Sequence, residues 1–377
     1  MNWNYVKLGN YVNIKTGKLD ANASSNNGEY PFFTCSKEPL KIDSYTYDCE
    51  CVLVAGNGDL NVKYYNGKFD AYQRTYIVES KDKQIVYTRF LFYFLDTYLE
   101  KLREQAIGGV IKYIKLENLT DSKFPLPPLE TQKRIAEILD AADALRRKDQ
   151  ELLKKYDELA QAIFIDMFGD PVKNEKGWEV KKLKEITKKI GSGATPTGGK
   201  TSYKSDGISL IRSMNVYDFS FKLKDLAYID ETQAAKLNNV SVEPKDVLFN
   251  ITGASVCRCS IVPNDLLPAR VNQHVAIIRA KTECLNPIFL NHLLVSNSVK
   301  SKLLGVGAGG GAVMEAITKD QLDQFEIVVP PIELQNKFEL LIQNVFSQKN
   351  NVIDIIDDSN SLFNPLIQKA FKGELVA

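Results

Sequence analysis

Histidine is nearly missing from this chain, with two among 377 residues, His274 and His292. Zinc and other imidazole-bound metals need several His and Cys ligands at short spacing, and the six cysteines do not supply them. Cys35, Cys49, Cys51, Cys257, Cys259 and Cys284 include two C-x-C pairs in strand-like sequence, which is neither a metal spacing nor a disulfide framework. No apolar run approaches the roughly 18 residues that span a bilayer. The polar opening MNWNYVKLGN also lacks the pattern of a secretory signal. A soluble cytoplasmic protein of two or three domains, with no membrane contact and no metal, is expected.

Charge of one sign is not in excess overall, since the net value is +1, but it is uneven along the chain. It amounts to +1 over residues 1–126, −3 over 127–170, +5 over 171–326 and −2 over 327–377. Acidic segments alternate with neutral-to-basic ones, as expected if only the latter approach phosphate.

What the sequence does contain is a repeat. PPLETQKRIAEIL from Pro127 recurs as PPIELQNKFELLI from Pro330, displaced by 203 residues. Further back the displacement shrinks as loops differ in length. CVLVAGNG from Cys51 parallels DVLFNITG from Asp246, YQRTYIV from Tyr72 parallels NQHVAII from Asn272, and TRFLFYFL parallels PIFLNHLL. WNYVKLGNYVNIKTG from Trp3 parallels WEVKKLKEITKKIGSG from Trp178. Such self-similarity marks a tandem duplication. Each half reads as a mixed α/β domain, residues 1–126 and 171–328, followed by a long helical segment, residues 127–170 and 329–377.

In the first helical segment Ile135, Ile138, Ala142, Leu145, Leu152, Tyr156, Leu159 and Ile163 recur at steps of three and four, interrupted by Asp149. In the second, Phe338, Leu341, Val345, Val352, Ile355, Leu362 and Leu366 keep the same register, interrupted by Gln348 and Ser359. These are heptad seams. A helix of about 40 residues is roughly 60 Å long and cannot bury its seam on one small domain. The two helices are therefore expected to pair as an antiparallel coiled coil relating the two domains by a pseudo-two-fold axis, an α+β arrangement. The proline pairs at 127–128 and 330–331 mark the helix starts, and Glu130 and Glu333 suit the positive helix ends.

The stretch GATPTGGKT from Gly193 matches the looser form of the P-loop pattern. A P-loop needs a buried apolar strand before it and a helix beginning at its Lys-Thr. The charged KKLKEITKKI upstream and the turn-and-strand sequence downstream supply neither. A P-loop ATPase with a coiled-coil arm is thus disfavoured. A protein-binding coiled-coil scaffold would leave two diverged domains without a role.

PLPPLETQKRIAEILDAADALRRKDQELLKKYDELAQAIFIDMFGDP, followed by GWEVKKLKEI and GSGATP, resembles the specificity subunit of type I DNA restriction–modification systems. The order of domain, helix, domain, helix resembles that family along the whole chain, and the Pro-Pro-[Leu/Ile]-Glu-x-Gln start occurring twice at this distance is a quite specific mark. The distal helix departs in composition from the central one. The resemblance implies a non-catalytic DNA-recognition subunit. Each target-recognition domain would read one half of an asymmetric bipartite site. The helices would set the unread gap and dock two methyltransferase subunits and, through them, the restriction subunits. S-adenosylmethionine, ATP and magnesium would belong to those partners, leaving this chain without a cofactor or catalytic residue. No Asn/Asp-Pro-Pro-Tyr motif and no nuclease-like Asp…Glu-x-Lys cluster in a convincing context contradicts this.

Base reading uses Arg, Lys, Asn and Gln, while Lys and Arg also hold phosphate. In the first half the candidates are Lys37, Lys63, Tyr64, Arg74 and Lys112; Tyr64 and Tyr65 are read as a loop tip. In the second half they are Lys200, Tyr203, Lys204, Arg212, Asn215, Arg258 and Arg270. Gln73 and Gln273 occupy equivalent places, which points to a shared structural hydrogen bond. His274 and His292 read as structural, and GVGAGGGAV from Gly305 as a flexible loop near DNA or partner.

Overall fold

The computed structural model describes residues 3–307 and 316–375. Packing divides the chain into two units, one of Met1–Glu151 with Val352–Ala377, the other of Leu152–Asn351. The division runs through both long helices, Leu129–Phe168 and Ile332–Lys372, instead of setting them apart from the domains. Each half-helix packs its apolar face into the core of the domain beside it.

In the first unit six strands form one sheet, in the order Val12–Thr16, Thr75–Ser80, Tyr47–Ala55, Val62–Ala71, Tyr30–Phe33 and Leu40–Ile42. The run from Cys51 to Val54 is buried throughout because alternate side chains enter two different cores. Val52 and Val54 meet helix Thr88–Thr97 through Phe90 and Leu91, whereas Cys51 and Leu53 meet Phe33, Phe69 and Ile77. Tyr5–Lys7 pairs with Lys123–Pro125, so the domain's first strand is fastened next to the chain that enters the central helix.

The second unit repeats the core of this plan with two four-stranded sheets. One runs Thr187–Ser192, Val275–Ala280, Val247–Asn250, Cys259–Ile261. The other runs Ala227–Ile229, Ile208–Ile211, Ala269–Val271, Ser241–Val242. Glu179–Lys182 pairs with Glu326–Val329 just before the distal helix, matching the closure of the first unit.

The helices run antiparallel within each unit. In the first, Ile135 and Leu139 share a core with Phe363, Ile367 and Ala370, and the Arg146 Nε donates to Asn360 Oδ1 at 2.9 Å. In the second, Phe164 and Phe168 pack edge-on against Phe338, and the Lys349 ammonium bonds Asp157 at 2.5 Å. Lys349 lies 203 residues after Arg146 and Asp157 lies 203 before Asn360, so the two ties are copies of one another.

One row of the expected seam is buried or half-buried, and the other lies one residue away from the row that is. Ile135, Ala142, Tyr156 and Ile163, with Phe338, Val345, Val352 and Leu366, are buried or half-buried. Their companion row is Leu139, Arg146, Leu153, Ala160 and Met167, and in the distal helix Ile342, Lys349, Ile356, Phe363 and Ala370. The expected Leu145, Leu152, Leu159, Leu341, Ile355 and Leu362 are exposed, and Ile138 is half-buried. Adjacent helix positions differ by about 100°, so both rows border the same stripe. The row that packs carries small residues and long cations, and Arg146 lays its guanidinium 4.4 Å from the Phe363 ring centre.

The doubled glutamine of the helix starts is the joint between domain and helix. Gln132 is fully buried; its Oε1 accepts from Tyr87 N–H at 2.9 Å, and its Nε2 donates to Ile85 and Pro127 carbonyls, both at 2.8 Å. Gln335 repeats this with Asn286 N–H at 2.8 Å and the Cys284 and Pro330 carbonyls at 3.1 and 2.7 Å.

Candidate nucleic-acid interface

The inner strands of the first sheet end together, and the loops they emit are stitched by hydrogen bonds. Gly56 N–H donates to Arg74 O at 2.8 Å, Gly58 N–H to Lys112 O at 3.0 Å, and Gln73 N–H to Leu19 O at 2.9 Å. Asn61, itself buried, donates to the Cys35 carbonyl at 2.8 Å and accepts from the Lys63 ammonium. Glycine at 56 is required by closeness, since a Cβ there would lie 2.4 Å from Arg74 O. The result is a single loop cluster bearing Lys18, Lys37, Lys63, Arg74 and Lys112, in which Lys18, Lys37, Arg74 and Lys112 are exposed. Asp59, 3.9 Å from Lys37, partly offsets this charge. Burial pushes the Lys63 ammonium below its ordinary value.

Four of the five residues expected in this half are therefore brought together. Tyr64 is not. The segment read as a loop tip is the middle of strand Val62–Ala71, and Tyr64 donates its hydroxyl to Glu50 at 2.8 Å beneath the Arg89 guanidinium, 4.7 Å from its ring centre. Arg89 in turn bonds Asp140 of the central helix at 2.6 Å, as does the Tyr93 hydroxyl. Tyr65 packs on Phe33 and Phe69. The alternation of a strand was hidden by the polar Asn66-Gly67 within it.

The second unit has the equivalent cluster. Ile251 N–H donates to His274 O at 3.0 Å, Gly193 N–H to Asn272 O at 3.1 Å, and Asn250 Nδ2 to Ser213 O at 2.9 Å. The Thr195 hydroxyl bonds Gln273, as Gln73 bonds Asp20 at 2.7 Å, so the paired glutamines do share a structural bond to the loop after the first sheet strand. His274 Nδ1 lies 2.7 Å from the Thr252 hydroxyl. His292 is buried among Phe164, Phe219, Phe338 and Phe346, and burial pulls its imidazole down to about 3, so it stays neutral.

Here the expected residues divide. Arg212 stacks 5.4 Å from the Tyr203 ring centre and Arg258 4.4 Å from that of Tyr217. Lys200 is exposed in the turn Gly199–Ser202. Asn215 is fully buried and bridges Arg212 N–H and the Lys222 carbonyl, shaping the loop from within. Arg270 is half-buried and tied to Ala234 O and Asn238 Oδ1, and Lys204 pairs with Asp230 at 3.2 Å. Tyr217 and Lys222 join the cluster without having been expected there. The Lys222 ammonium, together with Arg258, holds the Tyr217 phenol below its ordinary value. The spacing of Tyr217 and Lys222 across the short hairpin Val216–Tyr217 and Ser220–Phe221 was their only signal.

The P-loop pattern does not form a nucleotide cradle. Strand Thr187–Ser192 is antiparallel to its neighbour, and Lys200 lies in a four-residue 3-10 turn with no α-helix beginning there. The stretch from Gly305 read as a loop near DNA lies largely outside the described residues. Among the described residues there is no group of three or more His, Cys, Asp or Glu able to hold a metal, and no helix long and apolar enough to cross a membrane.

The two halves thus form a duplicated α+β chain, each half presenting a cation-bearing loop cluster and continuing into a long helix. The chain belongs to the family of type I restriction modification DNA specificity domains, whose model matches residues 1–155 and 175–357. It is similar to the type I restriction enzyme EcoDI specificity subunit of Escherichia coli, 26% identical over all of this chain and 89% of that protein. The MjaIX specificity subunit of Methanocaldococcus jannaschii is 26% identical over 78% of this chain and 70% of its own length. In fold it resembles the crystal structure of the type I restriction-modification S subunit of M. genitalium, with a TM-score of 0.62, 14% identity, and coverage of 98% and 96% of the two chains.

Proposed function

We propose that each half of this DNA specificity subunit reads one half of an asymmetric bipartite target through its own loop cluster, residues 1–126 serving one half-site and 171–328 the other. The helical segments 127–170 and 329–377 set the unread gap and dock methyltransferase subunits, which carry the restriction subunits. The chain is a non-catalytic component of that cytoplasmic complex. S-adenosylmethionine, ATP and magnesium act in the partners, and adenine is the modified base. The observation that carries this reading is the repetition of one hydrogen-bonded loop cluster, with exposed cations, at the same sheet end of both units.

Its test is direct. Exchanging residues 1–126 for the corresponding domain of a relative changes one half-site in the methylation pattern and leaves the other intact. A change in both halves contradicts the assignment of one domain to one half-site. Replacing Arg74 and Lys112 together by Ala weakens binding of cognate duplex and lowers the dependence of log affinity on log salt by about two, one for each phosphate deprived of its cation. An unchanged salt slope, measured by titration from low to moderate salt, removes these two from the interface.

A further inference from the structure

The most exposed apolar side chain of the first unit, Val110, stands in its cationic loop cluster beside a second exposed aliphatic, Ile111. Val110 is 104% exposed and Ile111 63%, between Gly109 and Lys112. Large aliphatic side chains left singly on a surface are ordinary, but these two are adjacent and are held up by a rigid base. Ile107 and Tyr113 exchange backbone hydrogen bonds of 3.0 and 2.9 Å, which closes residues 108–112 into a tight loop. Ile114 N–H donates to Gly56 O at 2.9 Å and Tyr76 donates its hydroxyl to Ile114 O at 3.1 Å, fastening that base to the sheet. Gly108 has φ +118, and a Cβ there would meet Ile111 O at 2.6 Å, so only glycine gives this bend. With no side chain at 108 or 109 the loop is thin, and it narrows to Val110.

Resting on the reading of this cluster as a DNA interface, we infer that Val110 and Ile111 enter the major groove and contact the C5-methyl of a thymine in the half-site read by the first domain. The occupant follows from the surroundings. Lys112 within the loop, Arg74 reached through Gly56, and Lys37 near Asp59 flank the tip with charge suited to phosphate, which draws a polyanion to it. The thymine methyl is the apolar group that a DNA duplex presents on its major-groove base edges, and small aliphatic side chains are its partners. A half-site that contains a methylatable adenine contains an A·T pair and hence such a methyl. The Lys and Arg side chains hold the backbone, and the aliphatic tip discriminates thymine from cytosine at one position.

The experiment is a binding cycle with the full chain in complex with its methyltransferase subunit. Cognate duplex is compared with duplexes in which each thymine of that half-site is replaced in turn by deoxyuridine, which lacks only the methyl. For the wild-type complex, removal of one particular methyl weakens binding about fourfold, the worth of one buried methyl-sized group. The Val110→Ser, Ile111→Ser double variant binds cognate duplex more weakly by at least that factor and no longer responds to that methyl. Additive losses at every thymine, or wild-type affinity in the variant, overturn the inference. A wild-type complex that does not prefer cognate over scrambled duplex overturns the DNA reading itself, a separate outcome from loss of the coupling.

Discussion

Insertion of one heptad into both long helices lengthens the unread gap of the target by about three base pairs. Seven helical residues add about 10 Å, and base pairs stack at about 3.4 Å. The insertions belong at facing points. Arg146 opposes Asn360 and Asp157 opposes Lys349, so an insertion after Glu151 is matched by one after Asp354. A full heptad keeps the row of Leu139, Arg146, Leu153 and Ala160 and the row of Ile342, Lys349, Ile356 and Phe363 on their partner-facing stripes. The methylated motif read from the variant complex should keep both half-sites and change only their separation. An unchanged gap would remove the helices from their role as spacer. Insertion of five residues in place of seven turns the stripe about 140° away from its partner on each helix and should abolish assembly.

The second large effect concerns the helix starts. Replacing Gln132 or Gln335, both fully buried, by Leu leaves one backbone N–H and two carbonyls without their side-chain partner. Each buried polar group so orphaned costs about 1–3 kcal/mol, so a loss of about 3 kcal/mol or more is expected for either substitution. Chemical unfolding should show the corresponding shift in midpoint, and hydrogen exchange should show opening of the Tyr87 amide in Gln132→Leu and of the Asn286 amide in Gln335→Leu. A variant as stable as the parent would mean the three bonds contribute nothing net. Glu130→Gln, in the same turn but exposed, serves as the control, with a change of about 0.5 kcal/mol from the lost helix-end charge.

Much of the architecture was legible because duplication states it twice. Pro127-Pro128 and Pro330-Pro331 fix both helix starts, and apolar steps of three and four carry both helices to their ends. What was not legible depended on choices the pattern leaves equal. Leu145 and Arg146 are neighbours bordering one stripe, and hydrophobicity alone selects the leucine. The structure selects the arginine because its guanidinium can stack on Phe363 and bond Asn360. The partner that decides the register lies 214 residues away in sequence.

The candidate interface shows the same division. Lys37, Arg74 and Lys112 could be named from charge in loop-like sequence, and the loops do converge. Asn215 and Arg270 have the donors that base reading needs, but their hydrogen bonds are spent inside the unit on Lys222, Ala234 and Asn238. Val110 and Ile111 escaped notice because aliphatic residues read as core. Only the bend at Gly108 and the short closure between Ile107 and Tyr113 reveal that they point outward.

The proposed reading of one half-site by each domain predicts a definite mark on a genome. Expressing this chain with its cognate methyltransferase subunit in a methylation-free host, and mapping the modified adenines, looks for that mark. The prediction is one motif of two different halves separated by a constant unread gap. A contiguous or palindromic motif, or no new methylation from a complex shown to be assembled, would contradict it.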